Sequence, residues 1–283
     1  MILLNGQVVP IAHYPNNELL LAEQLVQLAT TPKDVQTLTV RYESDSDFFA
    51  LYFIHEWLLE EGYAKQHAVF PYLPYSRMDR KVARHLFSLS YIAKMLNAMQ
   101  FEKVIILEAH SSVSLELIER VEGISYTKEL VAFAMEHMAF DIAQDAIVFP
   151  DKGARKRYAS LLPENVRVLE GEKTRDFDTG EVLALTLIGD VTVPPRNVLI
   201  VDDLCSRGST FIQVSDACRA IGSEKSYMAV THLEHNVFNG HVFDEVTEIY
   251  TTDALQPFLA QGLHHSKIRI LPLPSAWLMT PKR

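Results

Sequence analysis

Four consecutive apolar residues, Val198 to Val201, run straight into two adjacent carboxylates, Asp202 and Asp203. A short continuous apolar run fits a strand buried on both faces of a parallel sheet. The acids therefore stand at the carboxyl end of that strand. A turn of small and polar residues follows: Cys205, Ser206, Arg207, Gly208, Ser209 and Thr210. Phe211, Val214, Ala217, Cys218 and Ile221 then recur at helical spacing. Strand, acid pair, small-residue turn and helix start together suit a sugar phosphate. Backbone N–H groups at a helix start can cradle a phosphate. Ionised carboxylates only accept hydrogen bonds, so they suit vicinal hydroxyls. The same order also fits an acidic strand end of the receiver-domain or hydrolase kind, so the stretch alone leaves the chemistry open.

The remainder of the chain repeats the strand–helix alternation. Asn5-Gly6 marks an N-terminal hairpin, and Leu19 to Leu28 is helix-like. Strands are expected at Val35–Val40, Ala68–Leu73 and Val104–Leu107, with a buried helix over Phe48–Leu59 and helices over Ser88–Met99 and Val113–Val121. Helices over Lys128–Ala143 and Arg155–Leu162 follow. Further strands are expected at Ala146–Phe149, Val166–Leu169, Val182–Ile188, Ser226–Thr231, Val246–Thr251 and Ile268–Leu273. This alternation predicts an α/β fold with mostly parallel sheets. The 283 residues, 48% of them hydrophobic, allow two domains. The boundary is expected near residues 125–145, in the linking helix, giving domains 1–135 and 136–283. In such sheets ligands sit beyond the carboxyl ends of the strands, where Arg77, His110, Asp151 and Asp202 fall.

The Arg196–Phe211 stretch resembles the phosphoribosyl pyrophosphate (PRPP) binding loop of type I phosphoribosyltransferases and PRPP synthetases. Phe70 to Lys81, FPYLPYSRMDRK, resembles a segment that the synthetases carry and the PRPP-consuming transferases lack. Arginine grips phosphate oxygens in pairs, and the resemblance implies that Arg77 and Asp79 meet ATP. Met78 departs from the family's glutamine. LEAH, ending at His110, resembles the segment that helps position Mg²⁺-ATP, with Glu108 in place of an aspartate. FPDKGARKR resembles the family's proline–aspartate turn, which implies that Asp151 lies near metal and ribose. EKTRDFD, Glu172 to Asp178, has the lysine and arginine spacing of the family's closing loop. Lys173 and Arg175 are thereby implied as the catalytic cations. Tyr14 to Glu18 is similar to a loop that reaches a neighbouring subunit's adenine, with Asn16 in place of an acid; Tyr14 and Glu18 are the matching positions. The stretch ahead of that loop is shorter than usual, so a short variant without the family's first helix is expected.

The resemblance thus implies two phosphoribosyltransferase-like domains, an ATP side followed by a ribose-phosphate side. It implies transfer of the β,γ-diphosphate of Mg-ATP to the anomeric hydroxyl of ribose 5-phosphate, with Mg²⁺ as cofactor. A homo-oligomer, dimer or hexamer, would complete the ATP site. Asp202, Asp203 and the turn Ser206–Thr210 would hold the acceptor. Ser206 and Arg207 replace an acid and a threonine of the family loop, and Ser209 a glycine. The loop is more positive for it, which admits a larger acceptor such as ADP-ribose in nucleotide salvage. A non-catalytic regulatory or scaffolding homologue is the rival of another class, but Lys173 and Arg175 are retained. The formal charge of -10 argues against nucleic acid or a membrane surface as partner. The lack of a long apolar run or signal-peptide pattern gives the expectation of a cytoplasmic protein. Cys205 and Cys218 form no disulfide framework. His232, His235 and His241 lack the companions a zinc site needs.

Overall fold

The structure, a computed structural model, describes residues 1–21, 25–31, 34–81, 85–175, 182–255 and 264–274. These divide into two compact units, Met1–Ser125 and Tyr126–Asp253, with residues 264–272 joining the second. The division precedes helix Thr127–His137, whose Leu130, Val131 and Ala134 pack into the core of the second unit. Among the described residues no helix is long and apolar enough to cross a membrane.

In the first unit β1 (Ile2–Leu4) and β2 (Gln7–Val8) form a hairpin, and Asn5 and Gly6 take the left-handed turn conformations that Asn-Gly favours. A second hairpin joins β3 (Ile11–His13) to β4 (Leu19–Leu21). That pairing claims residues expected to be helical, and the helix α1 is confined to Leu25–Leu28; residues 22–24 lie outside the described chain. Then come β5 (Gln36–Val40), α2 (Ser46–Glu60), β6 (Gln66–Phe70), α3 (Ser88–Ala98), β7 (Lys103–Leu107), α4 (Ser112–Leu117) and β8 (Val121–Ile124). The sheet order is β2-β1-β5-β6-β7-β8, and β5 to β8 run parallel. Leu51, Ile54 and Leu58 bury one face of α2 against Leu38, Ala68 and Phe70. Each such side chain stabilises the unit by roughly 1.5–3 kcal/mol. The opposite face is not buried, contrary to expectation: Phe49, Tyr52 and Phe53 are exposed there. The helix expected to reach Val121 stops at Leu117, because Val121–Ile124 pair with β7 as an edge strand.

The second unit contains α5 (Thr127–His137), β9 (Ala146–Phe149), α6 (Lys152–Tyr158), β10 (Val168–Arg175), β11 (Val182–Ile188) and β12 (Asn197–Cys205). It continues with α7 (Ser209–Ala220), β13 (Lys225–Leu233), α8 (Val242–Glu245), β14 (Ile249–Thr252) and β15 (Ile268–Leu271). The sheet order is β11-β10-β9-β12-β13-β14-β15, parallel except for the edge strand β11. From β9 the chain steps outward to β10, and then returns to the other side of β9 as β12. The β9/β12 junction is thus the topological switch point, where such sheets open a crevice.

One buried carboxylate fixes that junction from below. Asp145 is fully buried just ahead of β9. Its Oδ1 accepts from the backbone N–H of Asn197 at 3.1 Å and from Nε of Arg196 at 3.2 Å. Its Oδ2 accepts from Nη2 of Arg196 at 3.0 Å and from the N–H of Asp141 at 2.8 Å. The start of β12 is thereby tied to the start of β9, with Val198 opposite Ala146. Asp145→Ala leaves buried donors without an acceptor and should cost about 3 kcal/mol or more. Urea unfolding of the variant measures it, and Asp145→Asn should lose less.

Candidate functional site

The strands pinned by Asp145 deliver their acids side by side at the other end. β9 runs out at Phe149 into Pro150 and Asp151, beside Ile200 of β12. β12 does not stop at Val201 as its apolar run suggests. Its ladder with β13 continues to the Cys205–Leu233 pair, so Asp202 and Asp203 lie inside the strand. Asp151 caps α6, accepting from the N–H of Ala154 at 3.0 Å through Oδ1. Six residues on, Nη2 of Arg157 donates to Oδ1 of Asp202 at 3.1 Å and to Oδ1 of Asp203 at 2.9 Å. Asp203 is 3% exposed. Burial and then the neighbouring Asp203 charge push the Asp202 carboxyl well above the usual carboxylate range; Arg157 opposes the shift.

The turn after the acids is held open from beneath. Gly208 takes φ 84°, and no side chain caps the helix α7 that starts at Ser209. A Cβ on Gly208 would approach Val242 of α8 to 2.5 Å, so the turn can sit this low only with glycine. The segment after β13 braces the same turn. Glu234 N–H donates to the Cys205 carbonyl at 2.9 Å, and Asn236 Nδ2 to the Ser206 hydroxyl at 3.3 Å. Gly240 packs against the Arg207 carbonyl so closely that any Cβ would collide with it. Arg207 and Ser209 are exposed, and Ser206 and Thr210 half-buried. The turn therefore offers N–H groups, hydroxyls and one cation on a fixed frame.

Lys173 and Arg175 lie on β10, whose Glu170 stands opposite Phe149. The backbone of Lys173 thus follows closely on the strand end that carries Asp151. It pairs with Leu185 of β11, and the register shifts between Thr174 and Arg175. Of the expected loop, residues 176–178 lie outside the described chain.

Within the first unit, Arg77, Asp79 and His110 follow the carboxyl ends of two neighbouring strands. β6 leads into Pro71–Arg77 and β7 into Glu108–His110, with Phe70 opposite Ile106. Tyr75 takes φ 65°, and its hydroxyl donates to Oδ1 of Asp45 at 2.6 Å; Tyr42 donates to the same oxygen at 2.8 Å. That anchor presents Arg77 exposed and Asp79 half-buried. Glu108 is buried and accepts from the Ser125 hydroxyl at 3.0 Å, and His110 beyond it is half-buried. Tyr14 and Glu18 close the β3–β4 hairpin, where Tyr14 N–H donates to the Glu18 carbonyl at 2.9 Å and the Tyr14 ring is exposed.

No group of three or more metal-ligating side chains occurs among the described residues. Mg²⁺ uses one or two carboxylates and takes its other ligands from water and substrate phosphates. Asp151 spends one oxygen on its helix cap, and its other oxygen is of the hard kind that Mg²⁺ would take. His110 offers a nitrogen, a poorer donor for this ion. From the sequence, Arg157 takes no more than a share in the positive potential of Lys152, Arg155 and Lys156, and the brace after β13 is missed. Arg157 sat within a basic run that reads equally as an exposed helix face. The 234–242 brace is distant in sequence from the turn that it supports.

No protein-family model matches the chain. Among curated proteins, a ribose-phosphate pyrophosphokinase of Pyrococcus furiosus is 33% identical over 179 residues, 62% of this chain and 61% of that protein. The Saccharolobus solfataricus protein of the same name is 26% identical over 230 residues, 80% of this chain and 78% of its own. The crystal structure of phosphoribosylpyrophosphate synthetase from Mycobacterium smegmatis superposes with a TM-score of 0.74 at 18% identity, covering 94% of this chain and 86% of that one. Sheet order and switch point thus define an α/β protein with two mostly parallel sheets, of the phosphoribosyltransferase type. The chain is thus similar to ribose-phosphate pyrophosphokinases over most of its length, and the superposition shows a shared fold.

The raised Asp202 carboxyl carries a stability consequence. The folded state holds that proton more tightly than the unfolded chain does. The stability it contributes is full at low pH and is lost as pH rises through the raised folded value. Asp202→Asn, always neutral, should therefore raise Tm at neutral pH, and the gain should shrink in mild acid. Thermal melts of both proteins at the two conditions check this.

Proposed function

We propose that this chain transfers the β,γ-diphosphate of ATP to the anomeric hydroxyl of ribose 5-phosphate, giving PRPP and AMP. The observation that carries the reading is the acid pair at the carboxyl end of β12, beside Asp151 at the switch point and followed by a helix start with no side-chain cap. Asp202 and Asp203 accept the ribose hydroxyls, and the Ser206–Thr210 turn receives the 5-phosphate. Arg77, Asp79 and His110 bind the nucleotide on the first unit. Asp151, with His110 as the weaker candidate, holds Mg²⁺, which when bound neutralises charge on the phosphates. The anomeric oxygen attacks the β-phosphorus in line, and Lys173 and Arg175 balance the charge that builds on the transferring group. Positioning and preorganised charge supply the rate. Tyr14 and Glu18 reach a second copy's nucleotide. The exposed Phe49, Tyr52 and Phe53 stripe on α2 supports an oligomer of this chain.

Lys173→Ala should lower kcat by roughly 10²- to 10³-fold, the usual worth of one such group. The KM of the acceptor should change little. Steady-state release of AMP measures both, and an unchanged kcat removes Lys173 from the mechanism.

One observation favours a second reading of the acceptor. Arg207 is exposed beside the phosphate turn, and no ion pair engages it among the described residues. A second phosphate on the acceptor, as in ADP-ribose, would meet that cation. AMP release with ribose 5-phosphate and with ADP-ribose separates the two readings. Under the first, kcat/KM is higher for ribose 5-phosphate. Preference for ADP-ribose, abolished by Arg207→Ala, establishes the second. Inactivity with both leaves the non-catalytic homologue.

A further inference from the structure

Arg157 is set apart from its basic neighbours on α6. Arg155 pairs outward with Glu170 at 3.2 Å. Arg157 instead turns to the acid pair, with its guanidinium carbon 5.3 Å from the centre of the Tyr158 ring, itself 1% exposed. One nitrogen, Nη2, meets an oxygen of each carboxylate. A guanidinium is always charged and its donors are rigidly placed, so this single contact both offsets the repulsion of the pair and fixes the spacing of the acids.

The geometry points to Arg157 as a positioning residue of the acceptor site, which holds Asp202 and Asp203 together so that both present carboxylate oxygens to a vicinal diol. This rests on the proposed reading of the acid pair as the site of the acceptor hydroxyls. The Asp203 backbone N–H, 2.9 Å from Oδ1 of Asp202, also opposes the burial and like charge that drive Asp202 towards its protonated form, but without the cation the opposing charge is gone. A protonated carboxyl accepts less well and donates where the diol also donates. Arg157 thus acts on the acceptor through the two acids.

The test is steady-state kinetics of Arg157→Met, Arg157→Lys, Asp202→Asn and the Arg157→Met/Asp202→Asn double variant. The acceptor is whichever of ribose 5-phosphate and ADP-ribose is turned over better, and thermal melting verifies folding. Arg157→Met should raise the acceptor KM roughly ten-fold or more, as expected for a charged hydrogen bond, with the KM of ATP unchanged. Arg157→Lys keeps the charge and should recover part of the loss; it also carries the test if the methionine variant does not fold. In the Asp202→Asn background the methionine effect should shrink, because the residue acts through that acid. An unchanged acceptor KM in both Arg157 variants overturns the inference. So does a parallel rise in the KM of ATP, or full additivity in the double variant. Should Asp202→Asn itself leave the acceptor KM unchanged, the reading of the acid pair fails, and this failure is distinct from that of Arg157.

Discussion

Two carboxylates side by side in a strand repel each other, and one guanidinium that lies across both offsets part of that repulsion. Three features of the second unit bear on that arrangement. Asp145 sets where β9 and β12 begin, and therefore where they end. The ladder with β13 carries Asp202 and Asp203 within regular backbone rather than in a loop. Arg157 then arrives from the helix that Asp151 starts. The raised Asp202 carboxyl is the residue of repulsion and desolvation that this cation does not remove. Such stored cost is common at sites whose work needs a group the fold would rather neutralise.

The architecture was legible because buried parallel strands announce themselves as apolar runs. Val198–Val201 and Ala146–Phe149 needed no tertiary information. Lengths and edges were less legible. β12 outruns its apolar core by four residues because a neighbour supplies the hydrogen bonds, and the acids that follow carry no strand propensity. β8 reads Val-Glu-Gly-Ile and becomes a strand only through its pairing with β7. Leu19–Leu21 looks helical until the hairpin partner is present. In each case a long-range ladder overrode a local preference.

The site divides in the same way. The acid pair and the small-residue turn are local, so they could be read directly. Arg157 could not be told from Arg155 or Lys156, since a basic run on a short helix gives no sign of which member turns inward. The brace formed by Glu234, Asn236, Gly240 and Val242 is chemically plain and carries no motif. It acts by shape, and shape at such a separation in sequence exists only after folding.

Under the proposed reading, charge explains how an acidic chain would receive a phosphate here. Interactions beyond about 8 Å are largely screened at physiological salt, so the formal charge of -10 matters less than what stands within that radius. The acid pair is partly cancelled by Arg157, and the cation of Arg207 stands on the turn beyond it, at the positive end of α7. The two arginines are in opposite states. One is committed to the protein's own acids, while the other is exposed. This separates a half that accepts hydrogen bonds from a half that attracts anions, a few residues apart on one strand and turn. A ligand with hydroxyls at one end and phosphate at the other matches that polarity in one orientation only. Under the proposed reading, the orientation of the acceptor would therefore be set by electrostatics before any contact to its reacting oxygen is made.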